Sequence, residues 1–394
     1  MAAQLVLPDE IIVEILSMLP AKSLLRWRSV SKYWLNLISS TKFKLMHLRN
    51  FNQQNPRYSV RHLDYLASEE WFSLHFDDEA FTLDRNSHVE FPFNITSVIL
   101  CFRIIGCCNG VVCLCDENGS GSDMVILWNP SIRRKLTLPL PNFKSIKSSF
   151  VVLGFGYDKM SDDYKVVRLA YNDYGFTGPR VEVYAVKTGI WRKVMFPHGW
   201  RRFYIHYNWT QVFSNGCVHW IASDSNWSHN SIMTFDITTE LFGEIPLPVD
   251  LVKEHLTTIM VSLVGESLAV TYYNGLINCL VKGKKMASST YKIWVMKEYN
   301  NPTSWTLIYN MHFPDADMGK PLKLRNKGDM IMESRDGNII VYNCSGYASC
   351  ICSGHESGWH CRNYVDKYEE SLALLDVGHS VSDEEAMKAL MMIG

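Results

Sequence analysis

Cys108-Asn109-Gly110-Val111-Val112-Cys113-Leu114 returns further along the chain as Ser214-Asn215-Gly216-Cys217-Val218-His219-Trp220. Each copy is a Gly-containing turn that opens a short apolar strand. After a loop comes a second strand and a polar turn, Ile126-Leu127-Trp128-Asn129-Pro130 in one case and Met233-Thr234-Phe235-Asp236-Ile237 in the other. Each phrase then ends at a Leu-Pro corner, Leu138-Pro139-Leu140-Pro141 or Ile245-Pro246-Leu247-Pro248. Weaker copies fill the gaps: Gly154–Leu169 with Val181–Pro197, Met260–Tyr273 with Tyr291–Pro314, Leu322–Asn343, and a degenerate first copy over Tyr58–Pro92. The corners at Pro141, Pro197, Pro248 and Pro314 lie 56, 51 and 66 residues apart. Units of this length holding several short strands are the mark of propeller blades. Alternation agrees, since Val181, Val183 and Ala185 share one strand face. About six kelch-like units are predicted between residues 51 and 376, with residues 377–394 as a tail. In the tail, Ser382 and Glu385 form a capping box for a short helix through Leu390.

The first fifty residues obey another period. Ile11, Ile12, Ile15, Leu16 and Leu19 line one broad helical face behind Pro8, with Asp9, Glu10 and Glu14 toward the positive end of the dipole. Pro20 stops this helix. A second is predicted over Lys22–Val30 and a third from the N-cap Ser31, with Tyr33, Trp34, Leu37 and Ile38 at helical spacing. Phe43 and Met46 continue into a last turn. Such a unit buries too little to stand alone, yet carries a dozen large apolar side chains. Either the rest of the chain or another protein completes its apolar face.

Leu7-Pro8, the Ile11/Ile15-Leu16 helix, Leu19-Pro20 followed by Lys22-Ser23-Leu24, Val30-Ser31-Lys32, Trp34 and the closing Phe43 resemble the F-box motif. That resemblance implies docking on a Skp-type adaptor and, through it, a cullin-based (SCF-type) ubiquitin ligase. It assigns Leu7, Pro8, Ile11, Ile15, Leu16, Leu19, Pro20, Leu24, Val30 and Trp34 to adaptor contact or its support. The β segment is similar to the plant type 1 F-box-associated interaction domain. The matching phrases are Cys108–Cys113, Trp128-Asn129-Pro130-Ser131, Gly154-Phe155-Gly156-Tyr157-Asp158 with Asp163–Val167, and Ile293–Met296 with Ser304-Trp305. The pattern departs from the family at Asp366–Glu369, read as an insertion in the last blade. The implied role is capture of a target protein by the β domain for ubiquitination.

Composition excludes several classes. Among 394 residues, 39 Lys plus Arg oppose 40 Asp plus Glu, a balance of −1 that argues against a surface built for nucleic acid. Residues 7–49 hold seven of the basic residues against three acidic ones, so the neutrality belongs to the sum. No run is long and apolar enough for membrane insertion. Asp9, Glu10 and Glu14 interrupt any export signal. The eleven cysteines, an odd number, read as reduced thiols of a cytoplasmic or nuclear protein.

Catalytic motifs are missing. Gly154-Phe-Gly156 lacks the third glycine of a phosphate loop and precedes a strand. His355-Glu356 has Trp359 where a metalloprotease needs histidine, and Gly119-Ser120-Gly121-Ser122 is a flexible loop. Cys344, Cys350, Cys352, His355, His360 and Cys361 fall close together without a Cys-x-x-Cys knuckle, so neither metal nor other cofactor is assigned. The aromatic and basic residues Tyr171, Tyr174, Phe176, Trp200, Arg201, Arg202 and Trp227 are of the types that dominate protein-binding hot spots. They are read as target-binding candidates, with inter-blade packing as the alternative. A propeller lectin or enzyme with a helical lid is the rival reading, which requires carboxylates recurring at the propeller mouth; an F-box scaffold or inhibitor acting outside any ligase is the other alternative.

Overall fold

The computed structural model describes residues 8–64, 69–85, 89, 102–116, 124–143, 150–171, 178–200, 203–205, 211–224, 228–274, 289–313, 320–325, 328–334, 338–342, 348–352 and 363–377. Four helices come first: α1 (Asp9–Ser17), α2 (Ala21–Arg28), α3 (Lys32–Ser39) and α4 (Thr41–Gln54). Pro8 and Pro20 immediately precede α1 and α2. Ser31 Oγ accepts the Trp34 N–H at 3.3 Å and so caps α3. The last turn expected near Phe43 is instead a separate helix. Ser40 leaves α3 in an extended conformation, and its hydroxyl accepts the Phe43 N–H at 3.3 Å to start α4.

Six antiparallel sheets follow among the described residues. Blade 1 orders β2 (Glu69–Phe76), β1 (Arg57–Asp64) and β24 (Tyr364–Tyr368). Blade 2 runs through β3 (Phe102–Cys108), β4 (Val111–Asp116), β5 (Val125–Asn129) and β6 (Arg134–Thr137). Blade 3 holds β7 (Phe150–Asp158), β8 (Asp163–Tyr171), β9 (Arg180–Ala185) and β10 (Ile190–Val194). In blade 4, β11 (Phe203–Ile205) and β12 (Val212–Ser214) share the partner β13 (Cys217–Asp224), followed by β14 (Asn230–Asp236) and β15 (Phe242–Pro246). Blade 5 comprises β16 (Ile259–Val264), β17 (Ser267–Tyr273), β18 (Ser289–Met296) and β19 (Trp305–Phe313). Blade 6 comprises β20 (Lys320–Leu324), β21 (Met330–Glu333), β22 (Ile339–Tyr342) and β23 (Ala348–Cys352).

The C-terminal strand closes the ring. β24 pairs with β1 from Arg57↔Tyr368 to Arg61↔Tyr364. Asp366–Tyr368, read as part of an insertion, are therefore ladder residues of the closing strand, which also packs on β20 of the sixth blade.

Apolar contacts between neighbouring blades fill the gaps around the ring. Phe72, Ile104, Trp128 and Tyr368 join blades 1 and 2, and Cys113, Leu127, Val151 and Phe155 join 2 and 3. Val183, Trp220 and Phe235 join 3 and 4, and Ile245, Val270 and Trp294 join 4 and 5. Ile293 and Met330 join 5 and 6, while Val60, Ile331, Val341 and Val365 complete the circle. The Leu-Pro corners have a matching role. Trp191 Nε1 donates to Pro139 O at 2.7 Å and Trp305 Nε1 to Pro246 O at 2.9 Å, each reaching the corner of the preceding blade. Trp220 Nε1 makes the equivalent backward bond to Leu153 O at 3.0 Å.

Gly154 and Gly156 serve this packing. A Cβ at Gly154 would enter the Trp220 indole and lie 2.7 Å from Val167 Cγ1, and one at Gly156 would enter the Phe213 ring. Asn109-Gly110 and Asn215-Gly216 have positive φ at both residues, as a type I′ hairpin turn requires.

Candidate functional site

Two faces distinguish the helical module. Its inner face packs Leu16, Ala21, Leu24, Ile38 and Phe43 with Leu372 from beyond the closing strand, and Ile132 from the β5–β6 turn joins them. The outer face leaves large apolar side chains in solvent: Ile11 and Ile15, each 44 % exposed, and Val30 at 66 %, with Trp27 and Tyr33 beside them. Trp27 and Tyr33 both meet the half-buried Trp34 edge-on, with ring centroids 5.7 and 5.0 Å away.

The residues assigned to adaptor contact thus divide. Pro8, Ile11, Ile15, Pro20 and Val30 are exposed, whereas Leu19 and Trp34 are half-buried. Leu16 and Leu24, 4 % and 0 % exposed, belong to the module's own core and can only support the outer face. Leu7 lies outside the described residues. Sequence reasoning missed Trp27 and Tyr33. The motif positions do not include them, but a tryptophan between Arg26 and Arg28 is the signal that could have marked an exposed aromatic.

The module sits on one edge of the ring. Hairpin turns join β3 to β4, β5 to β6, β7 to β8 and β9 to β10 on that edge. Thr41 Oγ1 donates to Asp162 Oδ2 at 2.8 Å in the β7–β8 turn, and Ile132 contributes from the β5–β6 turn. Between α4, these turns and residues 371–377 lies a cavity of about 380 Å³, lined in part by Lys44, Leu45, Leu48, Asn109, Tyr164 and Lys187.

The target-binding candidates fall in stretches of chain whose flanking described strands end at the opposite edge. Tyr174 and Phe176 lie between β8 and β9, Arg201 and Arg202 between β10 and β11, and Trp227 between β13 and β14. These five lie outside the described residues, as does the side chain of Trp200. Antiparallel pairing of β8 with β9 and of β13 with β14 puts the strand ends that flank those stretches at one edge of blades 3 and 4. Tyr171 requires a correction. It is fully buried among Val152, Val183 and Tyr204, and its hydroxyl accepts the Ile205 N–H at 3.4 Å, so it packs blade 3 onto blade 4 instead of facing a partner.

Several buried polar groups within the ring are held by one another or by the backbone. In blade 1, His75 Nδ1 donates to Phe81 O at 3.0 Å, so its Nε2 accepts from Ser73 Oγ at 2.9 Å. Ser73 in turn accepts from His62 Nε2 at 2.8 Å. Burial lowers both histidines, His62 to about 4, with His75 adding to the effect on His62. Burial also pushes the Cys108 and Cys113 thiols well up, away from nucleophilic thiolates. Lys165 binds Asp158 at 2.9 Å and Glu240 at 3.2 Å, tying blade 3 to blade 4. Among the described residues no group of three or more His, Cys, Asp or Glu could hold a metal ion. No helix there is long and apolar enough to cross a membrane. Most of the His355/Cys361 cluster, Gly119–Ser122 and the tail helix predicted from Ser382 lie outside the described residues.

Comparison with known proteins matches both parts of this architecture. Residues 5–45 match the F-box-like family, and residues 70–374 match the family described as F-box associated beta propeller domain. An F-box/kelch-repeat protein of Arabidopsis thaliana is 28 % identical over 360 residues, covering 86 % of this chain and 88 % of its own. The F-box protein CPR1 of Arabidopsis thaliana is 27 % identical over 331 residues, covering 79 % of this chain and 74 % of its own. With a four-helix head, a six-bladed ring closed by its last strand and both family matches in register with them, the chain belongs to the F-box proteins that carry an F-box associated beta propeller domain.

Proposed function

We propose that this protein is the target-recognition subunit of a cullin-based ubiquitin ligase. The helical module docks on a Skp-type adaptor, and the propeller holds a target protein by the edge opposite that module. The carrying observation is the set of Ile11, Ile15, Trp27, Val30 and Tyr33, exposed on a module whose own core of Leu16, Leu24, Ile38 and Phe43 is buried. Covering a large apolar side chain is worth about 1.5–3 kcal/mol, so five left in solvent on one small module favour a protein partner over solvent.

In this reading the chain supplies position and no reacting group. Tethering a target beside the conjugating partner raises the local concentration of its lysines. The enclosed His62–Ser73–His75 chain and the raised thiols fit a receptor that does no covalent chemistry. Cys107, Cys108, Cys113 and Cys217 carry free thiols, which suits the reducing cytoplasm or nucleus where such ligases work.

The test is Ile15→Asp. Ile15 faces solvent in the free chain, so the variant should fold, but a carboxylate in an apolar contact costs several kcal/mol. Co-elution with a purified Skp-type adaptor should be lost while the ring's unfolding midpoint stays. Undiminished co-elution overturns the assignment. On the other edge, Trp200→Ala with Arg201→Ala should reduce captured targets and leave adaptor binding intact; an unchanged set of captured targets removes that loop from the recognition surface.

A further inference from the structure

Ring closure and module placement use one segment of chain. β24 ends at Tyr368, and residues 369–377 then pass between the ring and the helices. The ring grips them from one side. Asn129 Nδ2 donates to Ser371 O at 3.0 Å and Ala373 O at 2.9 Å, the Ser371 N–H donates to Ser131 Oγ at 3.1 Å, and Arg134 reaches Val377 O at 2.8 Å.

The helices grip the same segment from the other side. Asn52 of α4 brackets the Glu370 backbone, accepting its N–H at 2.8 Å and donating to its carbonyl at 3.0 Å. The Glu370 carboxylate accepts the N–H of Ala21, the first residue of α2, at 2.6 Å. Its other oxygen accepts from Arg57 Nη2, at the start of β1, at 2.8 Å. This buried carboxylate therefore caps a helix of the module and pairs with a strand of the ring at once. Farther on, Asp376 pairs with Lys44 of α4 at 2.7 Å and with Arg28 of α2. Leu372, fully buried between these anchors, fills the module's core.

Direct contact between module and ring is incomplete. The cavity of about 380 Å³ lies where α4 faces the turns of blades 2 and 3, so side-chain packing alone does not fix the angle there. We propose that residues 369–377 are a positioning strap, with Glu370 and Asp376 as its positioning residues. The strap fixes the orientation of the helical module, and of whatever the module carries, relative to the far edge of the ring. Because the same segment continues from the closing strand, the module is locked only once the ring has closed. This inference goes beyond the receptor reading and stands without it, since the orientation belongs to the chain alone.

The test is a distance distribution in the full chain. Ketone-bearing residues at the exposed positions Asn36 in α3 and Leu241 before β15 take spin labels without touching native cysteines. Pulsed dipolar spectroscopy should give one narrow distribution in the otherwise native chain. In Glu370→Ala/Asp376→Ala it should broaden roughly twofold as the inter-domain angle is released, with helical content and the ring's unfolding midpoint maintained. An unchanged width overturns the proposal. Asp376 is exposed, so Asp376→Ala alone keeps its fold and decides the matter should the double variant not fold. Broadening in that variant supports the strap, and an unchanged width refutes it.

Discussion

Trp220→Phe should cost far more stability than Trp305→Phe, although each removes the same indole N–H from the same kind of backward bond. Trp220 is fully buried, and its Nε1 donates to Leu153 O at 3.0 Å across the seam between blades 3 and 4. Removing the donor strips a buried carbonyl of a partner, a loss of about 1–3 kcal/mol. Shrinking the ring system by roughly 40 Å³ adds about 1 kcal/mol at ~24 cal/mol per Å³ of cavity, since the surrounding Val218, Gly154 and Val167 cannot collapse freely. The total is about 2–4 kcal/mol, and the midpoint of thermal unfolding should fall by on the order of 5 °C. Trp305 makes its 2.9 Å bond to Pro246 O at a partly exposed site where water can replace the indole, so its loss should stay below about 1 kcal/mol. Urea and thermal unfolding of the two variants side by side provide the assay. Equal losses would refute the claim that burial of the seam, and not the number of indole bonds, holds neighbouring blades together.

Acid should weaken the first blade. His62 is held at about 4 in the fold against an ordinary 6.5, chiefly by burial, so its stabilising contribution is present above pH 6.5 and is lost as pH falls through 4. The full loss is on the order of 3 kcal/mol, and His62→Gln should flatten that limb of a stability–pH profile; an unchanged limb assigns it to other groups. Gly154→Ala and Gly189→Ala separate two reasons for a glycine. The first places a methyl inside the Trp220 and Val167 packing and should cost about 1–3 kcal/mol. The second meets open space but sits at φ +69°, where the left-handed conformation costs about 1–2 kcal/mol. Chemical denaturation distinguishes them, because adding Trp220→Phe should relieve only the first.

The ring was legible because blades 2 and 4 repeat the same physical needs and the other blades repeat them in part. An Asn-Gly turn, an alternating strand, a Leu-Pro corner and a later tryptophan recur, and the structure joins the corner to the tryptophan by a hydrogen bond. Closure was not legible at Asp366–Glu369. β24 has no partner nearby in sequence, since its ladder runs back to Arg57–Arg61, and a strand paired across the whole chain looks like an insertion when read locally. α4 was half legible: Phe43 and Met46 gave its period, but Ser40, which caps it, reads equally well as the end of α3. Among the adaptor-contact assignments, spacing identified the helix yet not its faces. Leu16 and Ile15 are neighbours with opposite fates: Leu16 turns onto Leu24, Ile38 and Phe43 of the later helices and onto Leu372 from beyond β24, contacts that the spacing within α1 alone does not specify.

The arrival of Leu372 in the module's core reflects how the two edges of the ring differ. Adjacent strands of a blade are joined by tight turns on one edge, and tight turns make a flat, well-ordered platform on which a small helical unit can rest. Chain entry through α4 into β1 and chain exit beyond β24 both fall on this platform, because Arg57 and Tyr368 face each other in the closing ladder. The module is therefore pinned both by the chain that enters β1 and by the chain that follows β24. The other edge receives the connections between the second and third strands and between successive blades. Their lengths are free to vary without disturbing a ladder. A fixed edge and a freer edge follow from the meander itself: the strand ladders hold the ring, while connections on the far edge can change at little cost to the fold.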